Sequence, residues 1–238
     1  MSVLVLRLAG PLQSWGARSR FVRRTTEPMP TKSGIIGLLA AARGFRRRDP
    51  IEELLALQLA VRTEQGGTML RDFHTAHHQV SGASMPLSHR YYWADSVFTA
   101  YVGGAHQMLV GLADALADPA YPIYLGRRSC VPEGRLVLGV DEGTVEQAVR
   151  ETPWQAGRPH QRTVPTPTVT LDVQADVDVF PGLVPARQLQ DVPLSFDPER
   201  RQYAMRGVVD TTVEVDNPLV DAAPTEGHDP LSLAGEFA

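Results

Sequence analysis

The sequence predicts an α+β fold: a ferredoxin-like domain, an inserted thumb-like β arm and a smaller β-rich C-terminal region. Three observations predict it. From residue 2 to about 140, apolar segments of period two and period 3.6 follow in the order strand, helix, strand, strand, helix, strand. Residues 74–94 interrupt that order without a helical period. Beyond 140 the chain turns Pro-rich and then breaks into short strand-like runs.

Taken in order, Ser2 to Ala9 is rich in Val and Leu and reads as a buried strand. Residues 10–30 read as a long loop with Gly, Pro and Arg; such loops in compact domains are usually functional or mobile. A helix runs from Lys32 to about Phe45, with Thr31 or Ser33 as N-cap and Gly44 near its end. Asp49-Pro50-Ile51-Glu52 reads as a capping box that opens a short helix to about Leu57. Leu59–Thr63 and Thr68–Phe73 read as strands around Gln65-Gly66-Gly67. The arm at 74–94 follows, with three His, then Gly, Ser, Pro and two Tyr.

Ser96 to Val102 is the next strand. His106 to Ala117 has Met108, Leu109, Leu112, Ala113 and Leu116 at helical spacing. Tyr121–Leu125 and Arg135–Val140 read as short strands around a Gly-Arg-Arg-Ser-Cys turn. A helix is expected over 143–151, irregular chain from Pro153 to Pro167, and strands at Thr168–Val173, Val177–Phe180 and Gln202–Val215. The division is then 1–140, 141–216 and an acidic tail at 217–238. The βαββαβ order of the first part is shared with RNA-recognition domains.

Composition narrows the function classes. Of 238 residues, 43% are hydrophobic and 21% charged, as in ordinary soluble domains. No apolar run approaches the roughly 20 residues of a membrane span, and the N-terminus carries no signal-peptide pattern. The single cysteine, Cys130, excludes a disulfide framework and a multi-thiolate zinc site. These features point to a cytoplasmic protein with no membrane partner. The net charge of −4 conceals an asymmetry: residues 1–128 carry 15 Lys and Arg against 9 Asp and Glu, a balance of +6, and the rest carry −10. Either the front half presents a nucleic-acid face, or the arginines are ordinary surface charge.

The candidate residues cluster in that half. Gln13, Trp15 and Gly16 follow the first strand. Trp15 either stacks on a base or closes the strand end as core, and Gln13 is placed to read a base edge. Arg18, Arg20, Arg23 and Arg24 suit phosphates and planar base edges better than lysines would. Lys32, Ser33 and Gly34 open a helix, where free N–H groups and the dipole attract a phosphate; a plain cap explains them equally well. His74, His77 and His78 are the one catalytic-looking cluster, open to three readings: a metal site with Asp72, an acid–base pair for RNA cleavage, or a polar arm against RNA. Tyr91, Tyr92 and Trp93 alternate faces, and Arg127 and Arg128 sit in a turn suited to phosphate.

Four segments carry a resemblance. They are Leu6 to Gly16, Pro30 to Leu39, Leu70 to Thr75 and Tyr124 to Cys130. In this order and spacing the chain resembles the CasD family of CRISPR type I-E Cascade subunits, within the RAMP superfamily. The resemblance covers residues 2 to about 130. It implies a non-catalytic RNA-binding subunit, without cofactor, that caps the 5′ handle of crRNA. It implies CasC backbone subunits and the CasA large subunit as protein partners, and target DNA only through the complex. The thumb then falls on 74–94, with His74, His77 and Tyr91 near RNA. The handle cradle falls on Gln13 to Arg24, Lys32 to Gly34 and Arg127-Arg128. Type I-C relatives of this family include metal-independent endoribonucleases that use a Tyr, a Lys and a His. This chain has one lysine, Lys32, far in sequence from its arm histidines.

Overall fold

The structure is a computed structural model that describes residues 1–16 and 23–220. Its elements are β1 (Ser2–Ala9), β2 (Leu12–Gln13), β3 (Arg23–Arg24), α1 (Lys32–Ala42), α2 (Glu52–Leu55), β4 (Gln58–Gln65), β5 (Thr68–His74) and β6 (Ser88–Ala94). Then come β7 (Val97–Gly104), α3 (His106–Ala117), β8 (Val137–Glu142), α4 (Val145–Glu151), α5 (Arg158–Thr163), β9 (Thr168–Asp176), β10 (Arg187–Ser195) and β11 (Gln202–Asp216).

Seven strands make one antiparallel sheet in the order β10-β11-β9-β4-β7-β1-β8. Its β8-β1-β7-β4 half, with α1 and α3 as crossovers, is the ferredoxin-like arrangement expected. Period two along β1 divides the core. Leu4, Leu6 and Leu8 pack with Ile35 and Leu39 of α1 and Leu109 and Leu112 of α3. Val3 and Val5 face the other way, with Tyr101, Val145 and Val149 of α4, Trp154 and Val173. RNA-recognition modules leave one sheet face open for bases. Here α4 and the segment around Trp154 cover it.

Residues 141–216 continue the same sheet: β9 pairs with β4 through Ala60–Ala175, Val61–Gln174 and Arg62–Val173. The polar run of β10 concealed a strand from the sequence. It lies at the sheet edge, where Pro193 is tolerated. The Pro-rich stretch hides α5, which Pro159 helps to open. Two expected strands are absent. Residues 121–125 run as a loop, and 177–180 form a turn after Asp176. The expected capping box does not form: the Asp49 carboxylate accepts from the Arg46 N–H at 2.7 Å, and α2 opens at Ile51 without a side-chain cap.

The second sheet builds the arm. β5 does not fold back on β4; it pairs with β6 from Thr68–Ala94 to His74–Ser88. Gly66-Gly67 is therefore a passage between sheets. A Cβ on Gly67 would lie 2.1 Å from Ser96 Oγ and 2.3 Å from the Ala94 carbonyl oxygen. The ladder roots the arm at residue 68, earlier than the expected 74. On its other edge β6 takes β2 antiparallel and β3 parallel, so part of the expected 10–30 loop is strand.

Candidate nucleic-acid interface

The end of β1 is built around Gln13 and Trp15. Gln13 Nε2 donates to the carbonyls of Leu8 (2.9 Å) and Ser96 (2.7 Å), and its Oε1 accepts from Trp15 Nε1 at 3.1 Å. Both side chains are fully buried. Trp15 lies against Gly34, where a Cβ would come 2.7 Å from ring atom Cε3. This corrects two expectations: Trp15 has no face open for stacking and Gln13 no free edge for a base. The residues fix the corner that ends at Gly16. Gly16 follows at the surface.

The helix start is corrected in the same way. Thr31 caps α1 through the Gly34 N–H (3.2 Å), and its Oγ1 lies 3.3 Å from Ser33 Oγ. The Lys32 N–H donates to Asp191 Oδ2 (2.8 Å), and Lys32 Nζ pairs with Asp176 Oδ2 (2.8 Å). Arg206 completes the cluster, donating to both oxygens of Asp191 and to Asp176. Burial disfavours the Arg206 charge, but the two aspartates outweigh that and hold its pKa above the ordinary value. The anion attracted to this helix start is the chain's own Asp191 carboxylate, not an RNA phosphate. Lys32, Ser33 and Gly34 all face internal partners.

Among the other candidates, Arg24 and Arg128 are exposed and Arg127 is half-buried. Arg18 and Arg20 lie outside the described residues. Arg23 and Arg24 form β3, in register with His89 and Arg90 of β6. Arg24 is exposed, and its carbonyl accepts from Arg127 Nη2 at 2.8 Å. Arg128 beside it is exposed. The turn that carries them is closed by bonds from the Leu125 N–H to the Cys130 carbonyl and from the Cys130 N–H to the Arg127 carbonyl. Gly126, at φ +84°, lies so close to the Ser14 carbonyl that any side chain would collide. Burial pushes the Cys130 thiol up, as in an inert core cysteine. The structure thus brings Arg24, Arg127 and Arg128 to one corner beside β6.

On the arm, the histidines have separate partners. His74 Nε2 lies 3.0 Å from Asp72 Oδ2, His77 Nδ1 lies 3.4 Å from Ser84 Oγ, and His78 Nδ1 accepts from the Ser81 N–H. Among the described residues no three His, Cys, Asp or Glu side chains form a metal-binding group.

The sequence reading marked Tyr91, Tyr92 and Trp93 as alternating faces but passed over their partners on β5. Cross-strand pairing puts Met69 with Trp93, Arg71 with Tyr91 and Phe73 with His89 on one face. Phe73 is 63% exposed there and Arg71 is also exposed. The opposite face sends Tyr92 into the core at 3% exposure. The signal was available as a two-residue alternation, Met69, Arg71 and Phe73 in β5 and His89, Tyr91 and Trp93 in β6. The expected arm boundary at 74 cut it in half.

Comparison with known proteins agrees with this architecture. The family model described as CRISPR-associated protein (Cas_Cas5) matches residues 3–209. The "CRISPR system Cascade subunit CasD" of Escherichia coli (strain K12) is 35% identical over 167 residues, covering 61% of this chain and 74% of that protein. A chain of a solved "CRISPR RNA-guided surveillance complex" superposes with a TM-score of 0.74 at 35% identity, covering 92% of this chain and 93% of its own. A structure titled "Crystal structure of Cas protein" gives 0.71 at 32% identity, covering 93% and 100%. With the model matched over most of its length and its fold shared end to end with these structures, the chain belongs to the Cas_Cas5 family of CRISPR-associated proteins.

Proposed function

We propose that this protein is a non-catalytic crRNA-binding subunit of a Cascade-type surveillance complex in the cytoplasm. In this reading it caps the 5′ handle of crRNA and joins CasC backbone subunits to the CasA large subunit. The observation that carries the reading is the end-to-end likeness to a chain of an RNA-guided surveillance complex. The basic corner of Arg24, Arg127 and Arg128 and the arm face of Arg71, Phe73 and Tyr91 fit it: guanidinium groups for phosphates, aromatic faces for bases.

A second reading, crRNA-processing endoribonuclease, draws on one observation, the His74–Asp72 pair. Such a pair can orient an imidazole for proton transfer. Against it, Lys32 is held by Asp176 and is not free to join a Tyr, Lys and His set. The test is incubation of the purified protein with labelled repeat RNA in EDTA, followed by parallel native and denaturing gels. The expected result is a shifted band on the native gel and uncut RNA on the denaturing one. Cuts at the handle boundary that vanish in His74→Ala would overturn the non-catalytic reading.

A further inference from the structure

The corner where β3, β6 and the 126–130 turn meet holds donors without acceptors among the described residues. Arg127 lies over the Tyr92 ring, 4.8 Å from its centroid, and donates one Nη2 bond to the Arg24 carbonyl. Its Nη1 is buried and has no hydrogen-bond partner among the described residues. The Nε of Arg90 is in the same state. Arg90 and Tyr92 stand two residues apart on one face of β6, a spacing of about 6.5–7 Å. With Arg127 seated over Tyr92, Arg90 and Arg127 border the same face of β6.

The acidic residue across the ladder from Arg90 is engaged elsewhere. Asp72 is opposite Arg90 in the β5–β6 register. Its Oδ1 accepts from the Phe73 N–H at 2.7 Å and its Oδ2 faces His74. A buried guanidinium N–H without an acceptor is costly, more so than a neutral one. Two of them bordering one face suit one oxyanion that reaches both. The stack on Tyr92 and the bond to Arg24 hold the Arg127 fork in place before any ligand arrives.

We propose that Arg90 and Arg127, positioned by Tyr92 and the Arg24 carbonyl, clamp one backbone phosphate of the bound RNA. The proposal rests on the RNA-binding reading above and adds Arg90 and Tyr92 to it. A phosphate contact positions the strand and carries no base identity. Loss of the clamp therefore weakens binding alike across RNA sequences.

The test uses the full-length protein and fluorescein-labelled single-stranded RNA of its own repeat, followed by anisotropy from about 50 to 200 mM salt. Arg90→Gln and Arg127→Gln should each weaken binding about tenfold at low salt, the scale of one charged hydrogen bond. Each should also lower the slope of log affinity against log salt by up to about 0.7. Arg127→Lys keeps the charge but not the fork; it should hold the slope and still lose affinity. Arg150→Gln, on α4 over the opposite sheet face, should match wild type. Melting curves identify any variant that fails to fold; if Arg127→Gln does, the half-exposed Arg90 carries the test. Folded Arg90→Gln and Arg127→Gln proteins with wild-type affinity and slope would overturn the clamp while leaving RNA binding intact. A wild-type protein that does not bind the RNA would overturn the RNA-binding reading, and the clamp with it.

Discussion

Gly34 has no side chain because Trp15 occupies that space. A Cβ there would meet Cε3 at 2.7 Å and Cζ3 at 2.9 Å, both on a rigid ring with no exposed surface. Gln13 in turn holds the ring through its indole N–H. Gly34→Ala should therefore destabilise the protein by about 1–3 kcal/mol, the usual cost of overpacking a filled core. Urea denaturation measures this directly, and an unchanged midpoint would show that the ring has room to move. This trio also shows what a sequence conceals at single positions. Gln13, Trp15, Lys32 and Gly34 have the residue types of an RNA cradle, yet each has an internal partner far along the chain or across a turn. Residue type is visible in one dimension; the occupant of the partner site is not. Arg127 differs because it is half-buried in its turn, with one donor left without a partner among the described residues.

At the scale of elements, β1 and α1 were legible as apolar runs with clear ends, and α3 by its apolar residues at helical spacing. The β10 strand and α5 were not, since an edge strand and a short Pro-led turn of helix need little apolar surface. The arm divides the same way. Its root is tied into the molecule: Tyr92 is core, Ser14 Oγ bonds the Tyr91 carbonyl, and Trp93 Nε1 bonds the Glu27 carbonyl. Its distal part, beyond the His74–Ser88 pair, is exposed throughout 75–87, including Val80, Met85 and Leu87. Replacing residues 76–86 by a short Gly-Ser turn should therefore leave the melting temperature within a few degrees, since loop shortening outside the core costs little. The same variant should fail to co-purify with crRNA-bound complex if the exposed apolar tip serves assembly. Unfolding of the variant would place the tip in the core. Normal assembly would remove it from the interface.

For the whole molecule, the expected boundary near residue 140 meets a network that crosses it. Lys32 at the start of α1 joins Asp176 of β9, Asp191 of β10 and Arg206 of β11 in one buried cluster of two positive and two negative charges. Asp176 also accepts the Leu59 N–H, at 2.9 Å, from the strand it flanks. Asp191 is fully buried and serves three donors: the Lys32 backbone N–H and two nitrogens of Arg206. Asp191→Ala would leave Arg206 half-paired in a dry site and the first turn of α1 without its anion. Removing one member of a buried ion pair costs about 3–5 kcal/mol, far more than a surface pair contributes. Replacing the pair together, as in Asp191→Leu with Arg206→Met, should recover much of that loss, because no uncompensated charge remains. Recovery should stop short of wild type, since the Lys32 N–H still lacks its acceptor. Chemical denaturation of the wild type, Asp191→Leu, Arg206→Met and the double variant closes the cycle. If the network joins the two parts of the chain, every variant should still unfold in one transition, with the single variants weakest. A second, separate transition in Asp191→Ala would instead mean that residues after 140 fold as a unit of their own. Additive single-variant losses would mean that Asp191 and Arg206 act independently, despite their 2.7 and 2.9 Å contacts.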